Sequence, residues 1–161
     1  MALFQEWKAA VTRDPALLAG AIEEGIRALG IRSIKPDQLT AVKSLLYGED
    51  VFVSAPTGFG KSLVYQLLPF CSASLLRSCL CTNKSPVVVV VSPLVSLMYD
   101  QVTKLVKKGV KAACVSGDSQ LVWLDAPNLQ PTYSFFYGHR QGVKRWPLLL
   151  DVHAQPSYEF Y

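Results

Sequence analysis

The chain has 161 residues, of which half are hydrophobic and 17% are charged, and its formal net charge is +4. This length suits one domain of ordinary size and excludes two full α/β lobes, while the composition excludes global disorder. The mild positive charge is compatible with a nucleotide or nucleic-acid partner, although the basic residues form no dense run. The longest purely apolar run, Val87–Val91, is well short of a membrane span, and the N-terminus carries charges where a signal peptide needs an apolar block. We therefore expect a soluble, intracellular protein with no membrane partner.

Four cysteines occur without any paired C-x-x-C spacing, and the two histidines offer no two-by-two arrangement with them. A metal site is the alternative interpretation, but its ligand pattern is missing. We expect buried free thiols, which suits a reducing compartment. The cysteines are Cys71, Cys79, Cys81 and Cys114.

The first 48 residues predict a series of helices. Ala2–Val11 is one candidate, and Asp14 with the proline after it gives the capping and first-turn signal of a second helix that runs to Ala28. Gly30 ends that helix. The apolar stripe in Ser33–Gly48 predicts a third helix, placed directly upstream of the most informative stretch of the chain.

That stretch is Asp50–Leu68, which reads D-V-F-V-S-A-P-T-G-F-G-K-S-L-V-Y-Q-L-L. A short buried strand is predicted at Val51–Val53 and a helix after the Gly-Lys-Ser triplet, which is the context that a phosphate-binding loop requires. Gly58 and Gly60 allow the backbone to curl so that successive N–H groups form an anion nest. The helix that follows adds its free N–H groups and the positive end of its dipole.

The loop residues predict the chemistry of an ATP site. Lys61 is the candidate catalytic residue, because it can reach the β- and γ-phosphates, and the Ser62 hydroxyl is the candidate ligand for Mg²⁺. Ala55 stands where the strict loop pattern has glycine, so a simple strand-to-helix turn with a solvated lysine is the alternative. The flanking elements favour the phosphate site. The candidate nucleotide contacts within the loop are Thr57, Gly58, Phe59, Gly60, Lys61, Ser62 and Leu63.

The elements after the loop alternate between helix and strand. Lys61–Phe70 predicts a helix, and the Ser- and Cys-rich stretch Ser72–Ser85 predicts a loop with at most one helical turn. Five consecutive valines at Val87–Val91 predict a strand that is covered on both faces, as in a parallel sheet. A helix at Leu94–Lys108, capped by the Ser-Pro pair before it, and a strand at Val110–Val115 follow. This order predicts an α/β fold with right-handed crossovers.

The character of the sequence changes near Gln120. Residues 121–161 hold 9 of the 17 aromatic residues without any sustained period. We expect this tail not to continue the α/β alternation and to be poorly ordered or the product of an altered reading of the gene. The alternative is a partner-binding arm or a base-stacking platform, built from Tyr133, Phe135, Phe136, Tyr137, Arg140 and Lys144.

Three blocks in order resemble the first half of the first RecA-like lobe of RecQ-type DNA helicases. The stretch I-R-S-I-K-P-D-Q-L-T resembles the adenine-recognition motif, and S-A-P-T-G-F-G-K-S-L-V-Y-Q-L-L-P resembles helicase motif I, in which alanine is usual at the first loop position. V-V-V-V-V-S-P-L-V-S-L-M-Y-D-Q-V is similar to motif Ia. The resemblance covers about Leu29 to Ser119, and three ordered blocks are much more specific than the loop alone.

The resemblance assigns roles to individual residues. It implies that Gln38 binds the adenine edge and selects ATP, whereas the amide alone would suggest an ordinary solvated side chain. Lys35 stands where the family usually has arginine, which keeps the charge but loses the planar fork. Motif Ia implies contacts with single-stranded or junction DNA. The residues that match it are Ser92, Pro93, Leu94 and Gln101, although Ser92 and Pro93 would serve equally as a plain helix cap.

The resemblance implies the following expectations for the whole chain. The fold is an α/β P-loop NTPase RecA-like lobe with a partial parallel sheet and flanking helices. It comprises a helical segment at 1–28, a partial helicase ATP-binding domain at 29–119 and a divergent tail at 120–161. The expected function is the ATP- and Mg²⁺-binding portion of a nuclear 3′-to-5′ DNA helicase.

Departures from the family pattern limit that expectation. No D-E-x-H string occurs in the sequence, and the second lobe with its arginine fingers and the zinc site are absent. We therefore expect nucleotide binding at best from this chain alone, since hydrolysis would lose its main electrostatic contributions. A non-catalytic nucleic-acid or protein interaction fragment is the alternative. A small-molecule P-loop kinase is disfavoured by Ala55 and by the block around Gln38.

Overall fold

The computed structural model describes residues 9–80, 86–115 and 135–138. Residues 9–13 are helical. The elements that follow are helices α1 (Pro15–Ala28), α2 (Pro36–Leu46) and α3 (Lys61–Leu80), strand β1 (Val88–Val91), helix α4 (Val95–Lys107), strand β2 (Ala112–Val115) and strand β3 (Phe135–Gly138). The chain divides into two compact units, Ala2–Val88 and Val89–Tyr161, and each is described by itself.

Helix α1 begins and ends where its sequence signals predict. The Asp14 carboxylate accepts a hydrogen bond from the backbone N–H of Ala16 at 3.0 Å, and a proline occupies the first turn. Gly30, at φ 63°, adopts the left-handed conformation just beyond the helix. The buried residues of α1 recur at helical spacing and form one face: Leu18, Ala21, Ile22 and Gly25. The predicted helix at Ala2–Val11 is helical from residue 9, and its earlier residues lie outside the described part of the chain.

Helix α3 packs against both α1 and α2 and forms the centre of the first unit. Its side chains Leu67, Cys71 and Leu75 are almost completely buried. The close approach to α1 depends on Gly25, because a Cβ at that position would lie 3.0 Å from the Cys71 Sγ atom. An ion pair between Arg77 of α3 and Glu24 of α1 joins the same two helices at the surface.

The length of α3 corrects one prediction. The Ser- and Cys-rich stretch Ser72–Ser85 was expected to be a loop, yet the helix continues through Pro69 and reaches Leu80. Low intrinsic helix propensity and one lost backbone hydrogen bond at the proline are outweighed by burial of this half of the helix, including Leu75 and Leu76. Tertiary packing therefore extends the helix beyond the end that the sequence predicted.

The segment before the loop also differs from its prediction. Residues 51–53 were expected to form a buried strand, but they are not part of a sheet, and 94% of the Phe52 side chain is exposed. A strand needs a neighbour to satisfy its backbone N–H and C=O groups. Among the described residues, the three strands pair only with one another, so this segment lacks a ladder partner.

The second unit contains a three-stranded sheet in the order β1-β3-β2. Strands β2 and β3 are parallel, with Ala112 opposite Phe135 and Val115 opposite Gly138. Helix α4 packs on this pair through one face, whose buried residues are Met98, Val102 and Leu105. The parallel pairing of β2 and β3 and the helix that packs on this pair are features of an α/β fold.

Strand β1 is less covered than its five valines predicted. Val89 and Val91 are 51% and 52% exposed, whereas the alternate residues are partly buried. The strand lies at the end of the sheet order, so one of its edges has no neighbour within the described residues. The valine run predicted a strand that is covered on both faces. For β1, as the described residues form it, that prediction is wrong.

Strand β3 comes from the tail that the sequence analysis expected to be poorly ordered. Phe135 and Tyr137 are almost fully buried, and the Phe135 N–H donates to the Lys111 carbonyl at 3.2 Å. The sequence analysis missed this strand because its four residues carry no periodic signal. The proposed stacking residues Tyr133, Arg140 and Lys144, and the side chain of Phe136, lie outside the described part of the chain.

Two further predictions concern the described residues. Cys71, Cys79 and Cys114 are free thiols, and no group of His, Cys, Asp or Glu side chains within residues 9–80, 86–115 and 135–138 could hold a metal ion. Cys81 falls outside that part of the chain. None of the helices described is both long and apolar enough to cross a membrane.

Candidate nucleotide-binding site

The loop between residue 54 and helix α3 contains two glycines in the left-handed backbone conformation that the predicted anion nest needs. Gly58 and Gly60 have φ angles of 83° and 90°, in the left-handed region that glycine adopts without strain. The Phe59 N–H bonds to the Pro56 carbonyl at 3.2 Å and closes a tight turn. Helix α3 begins directly after this turn, at Lys61, so the N–H groups of its first turn lie beside the curled backbone.

Lys61 bonds to the first half of its own loop. Its Nζ atom donates to the Ala55 carbonyl at 2.6 Å and to the Pro56 carbonyl at 3.0 Å. The side chain is exposed, so the ammonium group remains accessible to an anionic ligand. The loop thus carries a cation at the place where the sequence analysis predicted the phosphate-binding lysine.

Gln38 bonds to the second half of the loop, although it lies in α2, more than twenty residues earlier. Its Nε2 atom donates to the Phe59 carbonyl at 2.9 Å and to the Gly60 carbonyl at 3.1 Å. Its Oε1 atom accepts from the Lys35 backbone N–H at 2.9 Å, which caps the start of α2. The side chain is only 3% exposed. Gln38 is therefore not the solvated amide that its residue type alone suggested.

Lys35 reaches the same carbonyl as Gln38. Its Nζ atom donates to the Phe59 carbonyl at 3.2 Å and lies 4.4 Å from the centre of the Phe59 ring, within cation–π range. The sequence analysis predicted Lys35, Gln38 and Phe59 as nucleotide contacts but not their contacts with one another. No local pattern could reveal them, because they join residues that lie more than twenty positions apart.

The remaining predicted loop residues lie at the turn and at the start of α3. Ser62 is partly buried in the first turn of α3, next to Lys61, and Leu63 follows it with its N–H bonded to the Gly60 carbonyl at 3.0 Å. Thr57 is exposed at the turn. The loop offers the groups that can bind a polyphosphate with Mg²⁺. They are a curled backbone with two left-handed glycines, an accessible lysine and a hydroxyl at the helix start. The residues present therefore fit both groups.

The predicted nucleic-acid contacts lie in the second unit, around the start of α4. Ser92 is 7% exposed, and its hydroxyl accepts from the Leu94 N–H at 3.3 Å. Leu94, rather than the Ser-Pro pair, is the capping residue of α4, so the predicted start is displaced by one position. Pro93 and Leu94 are exposed, and Gln101 is partly buried on the same helix. These residues cluster near one helix end, except Gln101, which lies about two turns further along.

Comparison with known families decides what this loop belongs to. The family described as "DEAD/DEAH box helicase" matches residues 35–130, a range that includes Lys35, Gln38, the whole loop and helix α4. The chain belongs to the DEAD/DEAH box helicase family. This family implies a RecA-like P-loop fold, and its match extends beyond residue 119, where the sequence analysis placed the end of the domain.

The individual relatives that this chain resembles are named as helicases, and one of them is named RecQ-like. The ATP-dependent helicase wrn-1 of Caenorhabditis elegans is 38% identical over 130 residues, which cover 80% of this chain and 11% of the relative. The ATP-dependent helicase SGS1 of Saccharomyces cerevisiae is 45% identical over 82 residues, which cover 51% of this chain and 5% of the relative. The RecQ-like DNA helicase BLM of Xenopus laevis is 41% identical over 93 residues, which cover 57% of this chain and 6% of the relative. The chain thus spans about a tenth or less of these relatives.

Proposed function

We propose that this chain binds ATP with Mg²⁺ as the ATP-binding portion of a RecQ-like 3′-to-5′ DNA helicase that acts in the nucleus. The observation that carries the proposal is the loop itself, in which the Gln38 amide and the Lys61 ammonium hold opposite halves of one glycine-containing turn. RecQ-type relatives with printed names that include "ATP-dependent helicase" support the reaction class.

Different residues would bind the phosphates, the adenine and the Mg²⁺ ion. Lys61 would exchange its carbonyl partners for the β- and γ-phosphates, and the N–H groups of the loop and of the first turn of α3 would bind phosphate oxygens. Gln38 and Lys35 would face the adenine. Ser62 would hold Mg²⁺, which neutralises the charge of the phosphates when it is bound. Lys61 would then stabilise the charge that develops during phosphoryl transfer.

The finer arrangement of the fold follows from the same proposal. We infer a parallel sheet with helices on both faces, an ATP-binding domain that begins near residue 29 and a separate helical segment before it. The parallel pair β2 and β3, with α4 packed against it, supports this arrangement.

The proposal is tested by MgATP binding to the purified chain, followed by calorimetry and thermal shift. Lys61→Ala and Gln38→Ala should each lower the affinity by at least about tenfold, because each removes a charge-assisted or buried hydrogen bond. Lys43→Ala is the matched control, since Lys43 is an exposed lysine of α2. Binding that is equal in all four proteins, or absent from the wild type, would contradict the proposal and favour a non-catalytic interaction fragment.

DNA binding is a separate part of the proposal. We infer that Ser92, Pro93, Leu94 and Gln101 approach the backbone of single-stranded or junction DNA. Gln101→Ala and Leu94→Ser should weaken the binding of a labelled single strand measured by anisotropy, while Ser96→Ala, an exposed change in the first turn of the same helix, should not. Binding should also fall with rising salt, because phosphate contacts release counterions.

A further inference from the structure

The aromatic ring of Phe59 lies inside the nucleotide-binding loop, but neither the phosphate chemistry nor the family match gives it a task. It is partly buried, and its carbonyl and its ring both contact Lys35. A residue between two left-handed glycines needs no ring to form the turn, because the turn depends on the glycines and on the Phe59 N–H. The ring therefore calls for an explanation of its own.

The hydrogen bonds of the loop divide it into two halves. Lys61 takes the Ala55 and Pro56 carbonyls, at the beginning of the loop. Gln38 and Lys35 converge on the Phe59 carbonyl, at its end. Gln38 also accepts a hydrogen bond from the Lys35 N–H, so these two residues form one pair that holds the end of the loop.

Within that pair, the Lys35 side chain is the one whose position is less restrained. Gln38 is buried and uses both of its amide hydrogens, whereas Lys35 is exposed and its long side chain has many rotamers available in water. A single hydrogen bond from an exposed ammonium to a carbonyl is weak in water. The Phe59 ring adds a cation–π contact that fixes the ammonium beside Gln38 and leaves its remaining N–H donors available.

We propose that Phe59 is a positioning residue for Lys35, which it holds beside Gln38 so that the ammonium contacts the base end of the nucleotide. The inference rests on the proposed function, since it assigns a part of the same ATP site. It makes the aromatic ring of the phosphate loop a determinant of affinity for the base-bearing nucleotide and not for the phosphates. A purely structural role for the ring would alter both in proportion.

The test compares two ligands, MgATP and magnesium tripolyphosphate, which has no base. Phe59→Leu keeps an apolar side chain but removes the π face, Phe59→Tyr keeps the face, and Lys35→Met removes the charge from a side chain of similar length. We expect Phe59→Leu and Lys35→Met each to weaken MgATP binding about two- to fivefold, the range that a cation–π contact at an exposed site supports. Tripolyphosphate binding should stay within error, and Phe59→Tyr should retain wild-type affinity for both ligands.

The double variant Phe59→Leu/Lys35→Met decides whether the two residues act together. Its loss of MgATP affinity should equal that of Lys35→Met alone, because the ring acts through the ammonium. Additive losses, or equal losses for MgATP and tripolyphosphate, would overturn the inference while leaving nucleotide binding intact. A wild-type chain that binds neither ligand would overturn the proposed function and this inference together. Urea unfolding of each variant without ligand establishes that all of them fold.

Discussion

The Gln38 amide occupies the space that a side chain on Gly60 would need. Its Nε2 atom donates to the Gly60 carbonyl at 3.1 Å, and a Cβ added to Gly60 would lie 2.7 Å from the same nitrogen. A contact that short requires one of the two groups to move. Gly60 is therefore fixed by its left-handed backbone and by the neighbour that bonds to it.

Gly60→Ala should consequently cost more stability than Gly58→Ala. Both positions have a positive φ, so each alanine adds strain of about 1–2 kcal/mol, but Gly58 has no atom within 4 Å of the added Cβ. At Gly60 the displaced amide loses buried hydrogen bonds, which adds about 1–3 kcal/mol. Urea unfolding without nucleotide measures the difference. In a Gln38→Ala background the two alanine variants should become nearly equal, and a difference that persists there would contradict this explanation.

The contact between α1 and α3 gives a second matched pair of glycines. Gly20→Ala should stabilise the chain by about 0.5–1 kcal/mol, because this exposed helical position has nothing within 4 Å of the new methyl group. Gly25→Ala should destabilise it, since the methyl group would lie 3.0 Å from the Cys71 Sγ and 3.3 Å from Leu67 Cδ2.

Thermal and urea unfolding of both alanine variants test this pair. Cys71→Ala removes the sulfur that the Gly25 methyl group would meet, so the cost of Gly25→Ala should shrink in that background. An unchanged cost would indicate that the backbone, rather than the Cys71 side chain, resists the added methyl group.

The lowered pKa of the Glu24 carboxylate should make the folded chain less stable in acid. A hydrogen bond from Ser74, and then the hydrogen bond and charge of Arg77, hold the pKa of Glu24 below its ordinary value of 4.5. A depressed pKa stabilises the folded chain above about pH 4.5, and this contribution is lost as the pH falls through the lower, folded value. Because the side chain is 44% exposed, we expect less than about 1 kcal/mol.

The measurement is the free energy of unfolding from neutral pH to about pH 3, for the wild type and for Glu24→Gln. The difference between them should be present at neutral pH and should vanish in acid. Glu23→Gln, an exposed change in the same helix, is the control and should remove less of the pH dependence. A difference that stays constant with pH would show that Glu24 acts through packing rather than through its charge.

The buried thiol of Cys71 predicts slow alkylation. Burial raises the pKa of Cys71 from 9.0 to about 12, so almost no thiolate exists at neutral pH. Iodoacetamide should therefore modify Cys71 much more slowly than Cys79, which is less buried, and peptide mass spectrometry separates the two sites. In urea both should react at similar rates.

The raised pKa of Cys71 also stabilises the fold below about pH 9, and that stability should be lost progressively as the pH rises towards 12.

Sequence reasoning succeeded where the signal is local. The cap at Asp14, the stop at Gly30 and the two glycines of the loop each depend on a few consecutive residues, and the structure has all of them. It failed where distant residues decide. Nothing within Ser72–Ser85 shows that Leu75 and Leu76 will be buried and will extend α3, and nothing within Phe135–Gly138 shows that it will pair with Ala112–Val115.

The candidate site follows the same division. The loop residues were predicted from spacing, and Gln38 from a resemblance that covers its whole motif. The bond network that joins Gln38 and Lys35 to the Phe59 carbonyl could not be predicted, because it spans more than twenty positions and depends on how α2 meets the loop. That these residues bind a nucleotide stays a prediction, whereas their hydrogen bonds to one another are a property of the folded chain.

The bonds of Lys61 to the Ala55 and Pro56 carbonyls have a consequence for the kinetics of ligand capture. The loop is folded around the Lys61 ammonium, so an arriving polyphosphate would replace one set of partners for this ammonium with another and would not have to order a disordered segment. Much of the entropy of ordering is then lost during folding rather than during association. Affinity at this loop should accordingly vary mainly through the dissociation rate, with the association rate changing little among variants that keep the turn intact.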